Sequence, residues 1–266
     1  MFDTLLSVLP GDHPWQNTLH CYDCIPSTND WAKDLAAANA PSGTVVIAGQ
    51  QTAGRGRIGR SFFAPKGLGC YFSVLLRPHC APDKLMHLTC CAAVAACNAV
   101  ENCSGIRPQI KWTNDLVIGT KKLGGILTEL SVNSKTGLVE WAIIGIGINC
   151  NHKTEDFPVE LQDMTTSLLQ QTGHAISPAI LAAHLMVALQ QMDEQIHDKK
   201  EHYLSQYRAD CMTLGKKIVI LRGDLRQYAT ALDISQDGGL LVRLDDGTVT
   251  TVQSGEVSVR GMYGYI

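Results

Sequence analysis

The 266-residue sequence has no apolar run approaching the length that spans a bilayer, so no membrane-spanning helix and no membrane partner are predicted. It has no surplus of positive charge either. Lys and Arg total 22 against 25 Asp and Glu, a formal charge of −3, which argues against a general nucleic-acid binder with its strongly basic footprint. The first 32 residues contain neither Lys nor Arg. A secretory signal needs a basic start and a transit peptide needs arginines, so a cytoplasmic location is expected. In that compartment the ten cysteines should be reduced thiols, not a disulfide framework. Cys21 and Cys24 have Cys-x-x-Cys spacing, but no second pair and no His pair stands at zinc-finger distance, and no protein metal site is predicted. A Gly-Lys-Ser/Thr phosphate loop and a dinucleotide fingerprint are also missing. There is no internal repeat and no low-complexity stretch.

What the chain does have is a 45% hydrophobic fraction, ample for a real core, and one unusual stretch, Gly54-Arg-Gly-Arg-Ile-Gly-Arg60. Glycine reaches backbone angles closed to other residues and lets a ligand approach the main chain. Arginine offers a fixed fork of donors suited to phosphate and carboxylate. Together they describe a mobile cationic loop able to fold over an anion. By itself the stretch reads equally well as a flexible basic hairpin or a nucleic-acid contact.

The surrounding pattern alternates strands and helices. Thr44–Ala48 and Cys70–Leu76 read as strands, the second apolar enough to be buried. A capped helix starts at Ser27 or Thr28 and runs to about Ala40. Its start offers spare hydroxyls and the Asn29 amide to a small polar ligand. Asp83–Asn102 repeats Leu and Ala at helical spacing, with Cys90, Cys91 and Cys97 as small core residues. Ile110–Val117 and Lys122–Leu130 read as strands joined by a turn at Gly119 and Thr120, and Leu138–Ile148 as a further strand. After a polar loop with a short helical piece, Asn151–Gly173, Ser177 and Pro178 open the longest helix, expected to reach about Tyr207. From Leu214 the runs shorten, and Asp237-Gly238 and Asp246-Gly247 signal tight turns. Strands are expected at 217–222, 226–234, 240–244, 248–253 and 257–260. The prediction is therefore α+β: a mixed β-sheet catalytic domain packed with helices over residues 1–212, then a small SH3-like C-terminal β-barrel over 213–266.

Two more constellations carry polar groups where apolar ones are cheaper. Lys111 interrupts an apolar strand in Lys111-Trp-Thr-Asn114-Asp115, and Lys122-Leu-Gly-Gly125 follows a turn. Lys122 alone reads as a solvated hairpin tip. Gly145-Ile-Gly-Ile-Asn149 reads as a bulged core strand, or as a strand that a ligand approaches closely.

Taken jointly and in order, Ser27-Thr-Asn29, the Gly54–Arg60 loop, Lys111–Asp115, Lys122–Leu127 and Gly145–Asn149, with a small barrel behind them, closely resemble the bacterial biotin–protein ligases. The resemblance runs from about Leu19 to the end. Ile58, Thr113 and Gly124 depart from it, standing where a basic residue, Pro and Ala are usual. The roughly twenty residues before Leu19 are too few for the winged helix-turn-helix that some members carry, so a monofunctional ligase without specific DNA binding is expected.

The resemblance implies ATP-dependent formation of biotinyl-5'-AMP and transfer of biotin to one lysine of a biotin carboxyl carrier protein, of acetyl-CoA carboxylase or a related carboxylase. It implies catalytic roles for Lys122, Arg57 and Asp115. Biotin would meet Ser27, Thr28, Asn29, Gln51, Arg55, Gly56, Arg57, Lys122 and Gly125. ATP would meet Arg57, Arg60, Lys111, Asn114, Asp115 and Asn149, with Mg²⁺ carried mainly by its phosphates. A lipoate ligase or octanoyltransferase is the neighbouring alternative, and a biotin-responsive transcriptional regulator the alternative of another class. Whether the chain forms a homodimer is left open.

Overall fold

Strands with no polar side need cover on both faces, and that requirement organises the molecule. The structure, a computed structural model, describes residues 2–253 and 258–261. β2 (Thr44–Ala48) and β3 (Gly69–Leu76) are buried at every position. They lie inside a seven-stranded mixed sheet with β1 (Leu19–Tyr22), β4 (Gln109–Lys111), β5 (Asp115–Ile118), β6 (Lys121–Val132) and β7 (Val139–Asn149), in the order β1-β2-β3-β7-β6-β5-β4. The β1–β2 pair is parallel and every other pair is antiparallel.

One face is covered by α2 (Thr28–Ala37), the other by α3 (Leu88–Ser104), α5 (Pro178–Gln195) and α6 (Lys200–Asp210); short helices α1 (Phe2–Leu6) and α4 (Leu168–Thr172) lie outside these. α3 is built largely of Ala and Cys, so its backbone can lie close to its neighbours. Cys90, Cys91 and Cys97 are buried in it as expected, and burial pushes the Cys91 thiol up to about 12.

Five further strands, β8 (Lys217–Arg222), β9 (Leu225–Ile234), β10 (Leu240–Leu244), β11 (Val249–Val252) and β12 (Ser258–Gly261), form a second, antiparallel sheet in the order β11-β10-β9-β8-β12. Of the strand predicted over 257–260, Val257 lies outside the described residues.

Three expectations are corrected. The long helix from Pro178 to Tyr207 is two helices, broken between Gln195 and Lys200. No Gly or Pro marks the break; the turn re-aims Tyr203, Leu204 and Tyr207 into the core. The strand over Ile110–Val117 is two strands, β4 and β5, folded back at a corner, Trp112 to Asn114, whose Trp112–Thr113 peptide is cis. The helix over Asp83–Asn102 starts only at Leu88, after a single 3₁₀ turn at Pro82–Leu85.

Register explains where polar chemistry gathers. One row across the sheet reads Ala48, Tyr71, Gly147, Gly125, Asp115, Lys111. The next but one contains Ser73, Gly145 and Leu127. Motifs far apart in sequence thus meet at one end of the sheet.

Candidate active site

A cavity of about 390 Å³ opens above that end. All fourteen residues singled out in the sequence line it: Ser27, Thr28, Asn29, Gln51, Arg55, Gly56, Arg57, Arg60, Lys111, Asn114, Asp115, Lys122, Gly125 and Asn149. Apolar walls come from Phe62, Trp112, Ile126, Phe157 and Leu161. The size and the mixture suit a small molecule with an apolar body and a charged end.

The floor is the strand row. Lys122 Nζ donates to Asp115 Oδ1 at 2.5 Å, and a side chain at Gly125 would come within 3.3 Å of that same Nζ. Glycine there leaves the pair uncovered from the cavity side. The Lys122 main chain is gripped on its other edge: its N–H donates to Met164 O at 2.8 Å and its carbonyl accepts from Thr166 N at 2.9 Å. Asn149 Nδ2 donates to Thr166 O at 3.0 Å, tying the end of β7 to the same segment. Lys111 is only 8% exposed.

The corner carrying Trp112 to Asp115 is held from behind. Trp112 N donates to Thr213 Oγ1 at 2.9 Å, Trp112 Nε1 to Gly238 O at 3.0 Å in the β9–β10 turn, and Tyr207 Oη to Thr113 O at 2.9 Å. None of Thr213, Gly238 or Tyr207 was given a place at the site by sequence, because their partners are 94 to 126 residues away.

The roof is the Gly54–Arg60 stretch, and it is a β-hairpin. Gly56 N donates to Arg60 O at 2.7 Å and Phe62 N to Gly54 O at 2.8 Å. The tip residues Ile58 and Gly59 have φ of 55° and 69°, the left-handed pair of a tight hairpin turn. Gly59 suits it; β-branched Ile58 is strained there. Gly54 is needed for a different reason, since a Cβ would strike Phe62 O at 2.4 Å. Arg57 Nη1 donates to Asn114 Oδ1 at 2.9 Å, so roof and floor touch. Burial lowers the Arg57 guanidinium from its ordinary value, and nearby Asp115 opposes that shift. Arg55 is turned the other way, paired with Asp30 and, at 3.2 Å, with Glu129.

At the α2 end, Ser27 caps the helix by accepting from Asp30 N. Thr28 donates from N and Oγ1 to Gln51 Oε1, at 2.7 and 3.0 Å. Ser73 Oγ lies 2.8 Å from Thr28 Oγ1 and 2.7 Å from Asn29 Oδ1. The Asn29 amide donates to Leu127 O at 3.3 Å and Glu129 Oε2 at 2.9 Å. Both polar side-chain atoms of Asn29 are thus bonded to protein, and Asn29 is a wall of the cavity. Ser73 was the missed residue with a readable signal, a lone hydroxyl inside an apolar strand.

The glycines of β7 have packing reasons. A Cβ at Gly145 would lie 2.0 Å from Asn29 Oδ1, and one at Gly147 would lie 2.6 Å from the Phe62 ring. The close approach expected at these glycines is made by side chains of the protein itself. Among the described residues, no three or more His, Cys, Asp or Glu are grouped to hold a metal ion.

Residues 21–149 match the biotin/lipoate A/B protein ligase family, and residues 213–260 match the biotin protein ligase C-terminal domain. Over 229 residues the chain is 37% identical to the bifunctional ligase/repressor BirA of Bacillus spizizenii, covering 85% of this chain and 69% of that protein. The chain belongs to the biotin protein ligase family. It is also 29% identical over 244 residues to the biotin--[acetyl-CoA-carboxylase] ligase of Mycobacterium tuberculosis, covering 88% of this chain and 87% of that one. The biotin protein ligase from Aquifex aeolicus, solved in complex with biotin and ATP, superposes with a TM-score of 0.77 at 29% identity, over 91% of this chain and 98% of that one. No described helix is long and apolar enough to cross a membrane.

Proposed function

We propose that this member of the family is an ATP-dependent biotin–protein ligase acting in two steps, with its chemistry at the cavity described above. The observation that carries this is the meeting, in one cavity, of an apolar slot with the cations Arg57, Arg60, Lys111 and Lys122. A carboxylate and a triphosphate repel, and only a site that supplies positive charge where both arrive can hold them for reaction.

In the first step an oxygen of the biotin carboxylate attacks the α-phosphorus of ATP. The bond to the β-phosphate bridge breaks, and pyrophosphate leaves. Arg57 and Lys122 steady the charge on the carboxylate and α-phosphate. Lys111 and Arg60 meet the phosphates, and Asn114 and Asn149 orient the nucleotide. Mg²⁺, carried mainly by the ATP phosphates, would supply further positive charge there and would need few protein ligands. Biotin lies against Ser27, Thr28 and Gln51, with Gly56 and Gly125 giving room, Asn29 forming the wall and Arg55 anchoring the hairpin above.

In the second step the lysine amine of a biotin carboxyl carrier protein attacks the acyl carbon. AMP leaves, and the amine proton passes to Asp115 once the lysine displaces its Lys122 partner. The mixed anhydride is destroyed by water, so the hairpin roof keeps water out between the steps. We assign this chemistry to a catalytic domain over residues 1–212, with residues 213–266 as a separate C-terminal domain. All ten cysteines are free thiols, in keeping with work in a reducing cytosol.

The test is isotope exchange between labelled pyrophosphate and ATP. Label should enter ATP only when biotin is present. Exchange driven by lipoate or octanoate and not by biotin would move the chain to the neighbouring acyl-transfer chemistry.

A further inference from the structure

Glu129 stands on β6 two residues past the cavity wall at Leu127, with its side chain only 21% exposed. Its two oxygens are shared out. Oε2 accepts from Asn29 Nδ2 at 2.9 Å; Oε1 takes Lys33 Nζ at 2.8 Å and Arg55 Nη2 at 3.2 Å. Arg55 Nη1 pairs with Asp30, and Lys33 Nζ also reaches Asp30 at 3.2 Å. Two cations and two carboxylates from α2, β6 and the hairpin therefore form one neutral cluster beside the cavity mouth.

The place of Arg55 in the hairpin gives this cluster its leverage. Arg55 bridges Ser61 across the hairpin base, so fixing Arg55 fixes both hairpin arms. At the same time Glu129 fixes Asn29, whose Oδ1 in turn meets Ser73. One carboxylate thus ties the roof to the slot wall. The charge balance fits this reading: Arg55 and Lys33 are matched by Asp30 and Glu129.

We infer that Glu129 is a positioning residue, the clamp that holds the arginine hairpin down over the cavity through Arg55 and Lys33. Its consequence for the reaction rests on the ligase reading above; the clamp itself does not. If the hairpin has a closed and an open form, only the closed form makes these pairs, so removing the charge shifts the population toward open. Half-exposed pairs are individually weak, and the expected shift is about three- to tenfold.

The experiment uses Glu129→Gln, which keeps the side-chain size and an oxygen for Asn29. Hydrogen exchange at the Gly56 and Phe62 amides, both bonded within the hairpin, should quicken about fivefold on the same arithmetic, and adenylate release should rise to match. The adenylation rate with saturating biotin and ATP should stay within about twofold, because Lys122, Lys111 and Asp115 belong to the floor. Arg55→Met should reproduce the faster exchange, and the double variant should add nothing, since both substitutions break one clamp. Wild-type exchange at both amides in Glu129→Gln, or full additivity in the double variant, overturns the inference. Should Glu129→Gln lose global stability, Arg55→Met and Lys33→Met read the same clamp from its exposed side. A wild-type protein that makes no adenylate from biotin defeats the ligase reading instead, while amide exchange in the hairpin still decides the clamp.

Discussion

The corner from Lys111 to Asp115 and the hairpin from Gly54 to Arg60 meet at the Arg57–Asn114 hydrogen bond, yet they are held by different forces. The corner is backed by three hydrogen bonds among buried groups, from Thr213, Gly238 and Tyr207. Such bonds are costly to leave unmade in a water-poor setting. The hairpin hangs on ion pairs of half-exposed side chains, with Arg55 40% and Asp30 46% exposed, where each pair is worth little. Its tip even carries strain at Ile58. The floor is built to keep its geometry and the roof to let go. On the two-step ligation proposed above that division would have a use: the groups proposed to make the adenylate would stay fixed, while the cover would lift to admit a carrier lysine.

Breaking the floor should produce the largest effect. Lys122→Ala removes a directed charge from the proposed α-phosphate site, and such a loss costs about 100-fold in rate, or roughly 3 kcal/mol. Single-turnover adenylation should fall by that factor. Unfolding should move far less, because the Lys122 main chain keeps its bonds to Met164 and Thr166. A folded variant with near-normal adenylation would return Lys122 to the solvated-turn reading.

Acid should sharpen the comparison next. His152 is fully buried, stacked on Phe157 with centroids 4.6 Å apart and near Phe63, which follows the hairpin. Burial holds its imidazole down at about 4. The unfolded chain, with an ordinary value of 6.5, binds the proton first, so stability falls as pH drops from about 6.5 to 4 and levels off below. At pH 5 the loss from this residue alone is about 2 kcal/mol. His13 and His87 are lowered by burial in the same direction. Urea unfolding at pH 7 and pH 5 measures the sum, and His152→Phe should flatten the slope. An unchanged slope in that variant would remove His152 from the account.

The same contrast separates what was legible in the sequence from what was not. The floor and roof motifs could be read because each breaks a local rule: Lys111 inside an apolar strand, three glycines among three arginines, glycines within β7. Their gathering followed from register, which places Gly147, Gly125, Asp115 and Lys111 in one row. What holds them was illegible. Tyr207 looked like the end of one long helix, and the break at 196–199 has no Gly or Pro, because tertiary packing sets it. Glu129 was not singled out, since its partners Arg55, Lys33 and Asn29 lie far off in sequence, the last two by 96 and 100 residues. Asn29 was named as a contact for a small polar ligand; that its amide also bonds Leu127, Glu129 and Ser73 could not be read.

The smallest effect, and the most selective, is expected from the roof. Arg57→Gly removes one charged fork and frees the backbone at the hairpin. The closed form then loses the Asn114 bond and whatever attraction the adenylate offers, and the open form gains entropy. Adenylation should survive in part, because Lys122, Lys111 and Arg60 still meet the charge. Release of the intermediate should rise by about tenfold, the size of one charge-assisted hydrogen bond. A released mixed anhydride reacts with exposed amines without the enzyme, so an unrelated protein such as serum albumin becomes the detector. Mixed with enzyme, ATP and biotin, it should take up more biotin with Arg57→Gly than with wild type, and hydroxylamine-sensitive adenylate should drain faster from the variant. Equal labelling with equal release rates would mean that the roof does not guard the intermediate, and that Arg57 belongs with the floor it touches.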